Sequence, residues 1–312
     1  MSEKKCNKKY HYTVYGLNIE SDIEIKEFMI NKNESNDIKF VLGEVPEKVN
    51  RQISNGRRAK YSKTKVWFHI ENIATYYITN GDTVMVEPCE NADMQLFKVY
   101  LMCSCLGFIM LQRDQVAIHG GTVVIDGKGV IFTGNRGAGK STLTTALRHK
   151  GYPFISDDVA ATYFDKVPYI YPGFPYQKLC DDVMEPMGYD KEEHTSFSGD
   201  GKVKYMVPAY DSFYDESIQL SAICQLTVGD VSEVTIEEVT GHEKLDKIIK
   251  NIYREEFIDY MGGISPIYFK KCLDIAKHIK FYKITRPKEG FTVNEQIKLI
   301  EEVFINVEEK VV

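Results

Sequence analysis

The residue types best suited to chemistry cluster within residues 119–158. Gly134-Asn135-Arg136-Gly137-Ala138-Gly139-Lys140-Ser141, with Thr142 next, satisfies every fixed position of the P-loop pattern G-x-x-x-x-G-K-[ST]. In that pattern the glycines let backbone N–H groups close round phosphate oxygens, and the helix behind them adds the positive end of its dipole. Lys140 would reach the β- and γ-phosphates, and the Ser141 hydroxyl would ligate Mg²⁺. Two acids, Asp157 and Asp158, follow, the second 18 residues past the lysine. Carboxylates at the end of a short strand behind a P-loop helix are placed near bound Mg·ATP. His119 stands 21 residues before Lys140, beside Gly120 and Gly121. A lone histidine at a strand end is structural by default. With a P-loop and an acid pair in fixed relation to it, we read it as catalytic.

These groups need elements to hold them. Residues 129–133 read as a buried strand feeding the loop, and 141–150 as a helix with Leu143 and Leu147 at i, i+4. Residues 115–118 read as a strand ending at His119. Residues 122–125, the Asp126-Gly127 turn and 129–133 read as a hairpin, so the sheet is expected to be mixed rather than all parallel. Residues 154–158 form a short strand carrying the acids, and 159–163 continue as a strand. Residues 171–179 read as an extended, proline-broken loop, 196–204 as a hairpin tip with Lys202 and Lys204, and 218–228 as a central strand. Helices are predicted over 244–256, 266–279 and 294–307, with a strand over 281–284.

Before the site lies a segment of different texture. Strands are predicted over 10–15, 38–42, 65–70, 74–79 and 83–88, with turns at Gly16 and Gly81-Asp82. His11, Trp67 and His69 read as packing or surface residues. Residues 50–64, with Arg51, Arg57, Arg58, Lys60 and Lys63, read as a solvated basic loop. A helix of about twenty residues is expected over 91–113, apolar on nearly every face and therefore buried. Its most apolar window, 97–111, is short of a membrane span. The expected organisation is a β-rich module over 1–90 and a P-loop domain over 91–312 that includes this helix.

Composition is that of an ordinary soluble protein of 312 residues, 43% hydrophobic and 27% charged. A net charge of −6 argues against a nucleic-acid-binding role, which asks for a basic stripe. Seven cysteines, with no C-x-x-C pair, read as free thiols of a reducing cytoplasm, and Cys103-Ser104-Cys105 is too tight for zinc. The polar residues 1–9 predict neither a secretory signal nor a membrane anchor.

The run His119-Gly120, Gly134-x-x-Gly137-x-Gly139-Lys140-Ser141, Arg148-x-x-Gly151-Tyr152 and Asp157-Asp158 resembles the catalytic domain of HPr kinase/phosphorylases. The resemblance implies His119 as the active-site histidine, Lys140 as the phosphate-binding lysine and Ser141 as a magnesium ligand. It implies Asp158 as the base for a substrate serine hydroxyl, and a mixed-sheet fold of the HPr kinase/PEP carboxykinase-like type. The family's Glu-Ile-Arg-Gly signature has no counterpart in the comparable region, 171–179. The whole-chain layout is more similar to HPr-kinase-like serine kinases associated with ribosomally made peptides, including lasso peptides. Asn251-Ile252-Tyr253-Arg254 and Tyr282-x-Ile284-Thr285-Arg286-Pro287 look like that group too.

The expected fold class is therefore α/β, a mixed-sheet P-loop domain preceded by a small β-rich domain. The expected reaction moves the γ-phosphoryl group of Mg·ATP to a serine of a peptide or small protein. Asp157 is expected to assist the metal, and Lys202, Lys204, Arg254 and Arg286 are candidate phosphate or substrate contacts. The β-rich module is a place for peptide recognition by strand addition, and the oligomeric state, a homo-oligomer included, stays open. Competing readings are a nucleotide-binding regulator without transfer, a carboxykinase-type small-molecule enzyme, and an NTPase motor subunit. The close acid pair disfavours the motor.

Overall fold

The computed structural model describes residues 8–32, 35–199 and 201–305. The polar tail up to Asn7, with Cys6, lies outside them, as do Asp200 at the expected hairpin tip and the end of the last predicted helix. Contacts divide the chain into a first unit, Met1–Gln115 with Glu256–Ser265, and a second, Val116–Glu255 with Pro266–Val312. The division falls at Gln115 rather than at residue 90, because the helical run Met94–Gln112 packs on strands of the first unit. Tyr76 Oη donates to Phe97 O at 3.0 Å, and Phe68 meets Phe108 with ring centroids 5.9 Å apart.

The first unit holds an eight-stranded sheet in the order Met29–Ile30, Tyr10–Val14, Leu17–Ser21, Ile38–Leu42, Thr83–Pro88, Ala74–Thr79, Lys65–Ile70, Ala59–Lys60. The strands predicted over 38–42, 65–70, 74–79 and 83–88 have those bounds. The turn predicted at Gly16 is present, and a strand that the sequence reading did not single out follows it. Tyr15 and Gly16 both have positive φ, 55° and 73°, and turn the chain straight into Leu17–Ser21. The basic stretch is not one loop. Arg51 lies in the helix Glu47–Ser54, paired with Glu47 one turn back, and Lys60 lies in an edge strand. Met94–Gln112 is 19 residues long and passes the length and hydropathy test for a membrane span, longer than the 97–111 window suggested. Of that span's apolar window, 67% is buried inside the structure. Its middle, Tyr100–Cys105, is wound as a π-helix.

In the second unit the Lys128–Gly134 strand lies between the antiparallel Ala117–Ile125 and the parallel Ile218–Gly229. Lys280–Pro287 continues the sheet parallel to Ile218–Gly229, and Thr235–Glu238 closes that edge antiparallel. Val159–Phe164 and Phe154–Ser156 both pair with Ala117–Ile125. The sheet is thus mixed, as the hairpin pattern predicts, with its tight turn at Asp126 and Gly127 (φ 49° and 67°). The P-loop helix Lys140–His149 and the last helix Val293–Phe304 share one core over this sheet. Leu143 and Leu147 there meet Phe132, Leu226, Ile297 and Ile300. Burying side chains of this size stabilises the fold by roughly 1.5–3 kcal/mol each, which holds the loop's two flanks at fixed separation.

Candidate active site

The strand Lys128–Gly134 runs into the loop and the loop into the helix Lys140–His149. Gly134 has φ 137°, and a Cβ there would collide with the Leu226 carbonyl, so glycine is required for the strand to turn off beside its neighbour. Lys140 Nζ donates to Gly134 O at 2.8 Å and to Asn135 O at 3.3 Å, which curls the lysine over the loop. Arg286, at the end of the Lys280–Pro287 strand, donates from Nε to Ala138 O at 3.1 Å and from Nη2 to Gly137 O at 3.2 Å. It braces the loop through its Gly137 and Ala138 carbonyls. Burial pulls the Lys140 ammonium below its ordinary pKa, against the pull of Asp158 and Asp157.

His119 is not at a strand end. It is the third residue of a continuous strand, Ala117–Ile125, because Gly120 and Gly121 stay in the ladder instead of breaking it. They are there for close packing. A Cβ at Gly120 would stand 2.5 Å from Phe132 O, and one at Gly121 would stand 2.9 Å from Thr144 Cγ2 of the P-loop helix. The histidine strand therefore lies tight against the phosphate loop's own strand and helix.

The acid pair follows Phe154–Ser156. Asp158 takes a left-handed conformation, φ 53°, uncommon outside glycine though tolerated best by Asn and Asp. That turn points the Asp158 carbonyl at the histidine strand, where it accepts from Gly120 N at 3.0 Å and lies 3.1 Å from His119 Nδ1. The tautomer with a proton on Nδ1 is the one this contact favours, leaving Nε2 as acceptor. Burial lowers the His119 pKa, Asp158 opposing, which favours the neutral ring.

A lysine that the sequence reading did not single out completes the cluster. Residues 171–179 are not a loop throughout: Tyr176–Cys180 is a strand, paired antiparallel with Lys202–Pro208. From it Lys178 forms an ion pair with the Asp158 carboxylate, its own side chain only 6% exposed. The Lys178 backbone N–H donates to Asp157 Oδ2 at 3.0 Å. Burial works to raise both carboxyls. For Asp158 the Lys178 ammonium, with His119 and Lys204, outweighs burial and holds it below the usual carboxylate range. For Asp157 burial and the neighbouring Asp158 win, pushing it up to about 7. Gln177 ties this strand to the P-loop helix, its amide 3.3 Å from both Thr144 Oγ1 and Thr145 Oγ1. No spacing rule links residues 177 and 178 to the acids, so only pairing of the strand could reveal them.

Arg254 arrives through a ring. Its guanidinium lies 5.1 Å from the Tyr253 ring centroid, and Tyr253 stacks on His119 at 5.7 Å. Asn251 O accepts from His119 N at 2.7 Å. Thr133 Oγ1, on the P-loop strand, lies 2.6 Å from His119 O and 2.8 Å from Asn251 Oδ1. Of the two hairpin lysines, Lys204 acts electrostatically on Asp157, Asp158 and Lys140. Lys202 is exposed at the tip, opposite Gly199. Arg136 and Asn135 are exposed on the loop, and Ser141 and Thr142 are half-buried at the helix start.

Among the described residues no group of three or more His, Cys, Asp or Glu stands ready to hold a metal. The oxygens of Ser141 and Asp157 nonetheless suit Mg²⁺, which is commonly held by one or two protein oxygens plus substrate phosphates. Asp157, raised by burial and by the neighbouring Asp158, is the kind of group that gains from a bound cation.

No family model matches the chain. An HPr kinase/phosphorylase of Aromatoleum aromaticum is 35% identical over 82 residues, 24% of this chain and 26% of that protein. An HPr kinase/phosphorylase of Mycoplasmopsis pulmonis is 38% identical over 73 residues, 21% and 24% of the two chains. The chain is HPr-kinase-like over that stretch. The match spans only about a quarter of the length of these curated relatives. A solved HPr(Ser) kinase/phosphatase of Coxiella burnetii aligns with 62% of this chain and 95% of its own, at 13% identity and a TM-score of 0.30.

Proposed function

We propose that this protein is an ATP-dependent kinase that transfers the γ-phosphoryl group to a serine hydroxyl of a peptide or small protein. One observation carries the reading: a histidine and an ion-paired aspartate, joined through the Asp158 backbone, whose charge reaches the P-loop lysine. A bare nucleotide-binding loop needs neither. The similarity to HPr kinase/phosphorylases supports a kinase- or phosphorylase-type activity.

The residues divide the work as follows. Loop N–H groups and Lys140 hold the triphosphate, with Arg286 fixing the loop from behind. Ser141 and Asp157 are the residues that would hold Mg²⁺, which supplies charge neutralisation on the phosphates. Asp158 accepts a hydrogen bond from the incoming hydroxyl and orients it. Its depressed pKa makes it a weak base, which suits a loose transition state in which the hydroxyl gives up its proton late. His119, neutral and with Nε2 as acceptor, is the second group able to receive that proton. Positioning and charge supply most of the rate.

The acceptor is a peptide or small protein rather than HPr itself on this reading. The region where HPr kinases carry their Glu-Ile-Arg-Gly signature is here the strand with Lys178. The β-rich first unit, with edge strands at Met29–Ile30 and Ala59–Lys60, is the proposed peptide-recognition module. The test is transfer from γ-labelled ATP into candidate peptides and a cell extract, with Lys140→Ala and Asp158→Asn beside the wild type. Labelled phosphoserine that disappears in both variants is expected. Label released only as free phosphate, or nucleotide held and never turned over, would overturn the kinase reading.

A further inference from the structure

Beside the phosphate loop the second unit has a pocket that the proposed transfer chemistry does not use. It begins at Gly139 and Thr142, the start of the P-loop helix, and continues between the segment around Val183 and the stretch from Arg286 to Gln296. Its position is fixed by the loop itself, since Arg286 both lines the pocket and bonds Ala138 O and Gly137 O.

Two of its walls are unusual. Phe291 is 60% exposed, a large flat apolar surface at the pocket's edge. Gln296 is 2% exposed, and its Nε2 donates to Thr292 Oγ1 at 3.2 Å, yet its Oε1 is buried without a hydrogen-bond partner among the described residues. Most buried side-chain carbonyls in folded proteins are paired, so an orphan of this kind calls for a donor from outside the described residues. Ligand sites combine a mostly apolar slot with a few placed polar groups. Val183 and Phe291 supply the apolar surfaces. Gln296, Thr292 and the exposed Asp182 supply the polar ones.

We propose that this pocket takes the adenine nucleoside part of the nucleotide whose phosphates lie in the loop. The proposal rests on the P-loop reading above. In it the base lies against Phe291, its exocyclic amino group donates to Gln296 Oε1, and the ribose hydroxyls meet Asp182. Adenine carries an amino donor at the position where hypoxanthine carries an oxo acceptor. An orphaned acceptor therefore favours ATP over ITP, while the triphosphate contacts are the same for both.

The experiment is titration calorimetry of the full chain with ATP, ITP and inorganic tripolyphosphate, each with Mg²⁺. For the wild type we expect ATP to bind at least about tenfold tighter than tripolyphosphate and several-fold tighter than ITP. Phe291→Ala, at an exposed position, should bring ATP close to tripolyphosphate without changing tripolyphosphate affinity. Gln296→Leu, a near-isosteric change that removes the orphan, should abolish the preference for ATP over ITP. Tripolyphosphate binding as tightly as ATP, or an ATP advantage untouched by Phe291→Ala, would overturn the pocket and leave the P-loop reading standing. ITP matching ATP in the wild type would overturn the role given to Gln296. Neither ATP nor tripolyphosphate binding would sink both readings together.

Discussion

Each unit of the chain shields a lysine–carboxylate pair from solvent, Lys98–Glu27 in the first and Lys178–Asp158 in the second, and the two have different surroundings. In the first unit Lys98 Nζ meets Glu27 Oε1 at 2.7 Å, with side chains 18% and 8% exposed. Lys98 is helical, and the pair fastens the long apolar helix to the turn between Leu17–Ser21 and Met29–Ile30. In the second unit Lys178 meets Asp158, and there everything else differs. The carboxylate sits on a left-handed residue, another acid adjoins it, a neutral histidine touches its carbonyl and the P-loop lysine feels its charge. A buried ion pair alone is thus a poor pointer to function. Crowding of titratable groups around one, on a backbone held in an uncommon conformation, is the better one.

The comparison can be broken most sharply at the second pair. Asp158→Asn is expected to lower phosphoryl transfer by at least ~10³-fold while nucleotide affinity is kept, because asparagine tolerates the same backbone and loses only the charge. Single-turnover transfer alongside equilibrium ATP binding would check it, and retained transfer would end the assignment. Lys178→Met is expected to cost about 10²-fold in transfer, since the carboxylate loses the ammonium that orients it, again with binding kept. A variant as active as wild type would reduce Lys178 to a structural role.

The first pair should behave oppositely. Lys98→Met leaves the Glu27 carboxylate buried without its cation, and loss of one partner of a buried pair costs roughly 3–5 kcal/mol. A lower thermal midpoint is expected, with transfer per folded molecule unchanged. Replacing both as Lys98→Met with Glu27→Gln should recover much of that loss in denaturant melts.

The smallest effect is a matter of protons. Asp157 holds its proton up to about 7 in the fold, against an ordinary value of 3.8. The folded state then binds more protons than the unfolded chain across that window. The stability that this contributes is complete below about 4 and is lost as pH rises through about 7. Relative to Asp157→Asn, the metal-free wild type should therefore lose thermal stability between pH 4 and 8. Parallel midpoints for the two proteins across that range would contradict the shift.

Much of the site was legible in the sequence because its signals are local. The P-loop needs glycines at fixed steps, and its helix needs apolar residues at i, i+4. The hairpin needs its Asp126-Gly127 turn, and each requirement is written within a few residues. His119 lies inside a strand rather than at its end, since glycines read as breakers unless the close approach of Phe132 and Thr144 is known. Lys178 and Gln177 were not singled out, because their meaning depends on which strands pair across the fold. The run 171–179, with two prolines ahead of its strand, looks like a loop when read alone. In the first unit the same limit hid Leu17–Ser21, which follows a turn whose tightness comes from two residues at positive φ.

The Arg286 grip has a consequence for how the protein is made. The residue that fixes the carbonyl face of the phosphate loop lies almost 150 positions downstream of it, on the sheet's last parallel strand. A ribosome emits the loop first and the arginine much later. The nascent chain thus carries the whole glycine-rich motif before Arg286 can brace it. On the proposed reading, the braced form of the loop, and any nucleotide grip that depends on it, is therefore reached only late in synthesis.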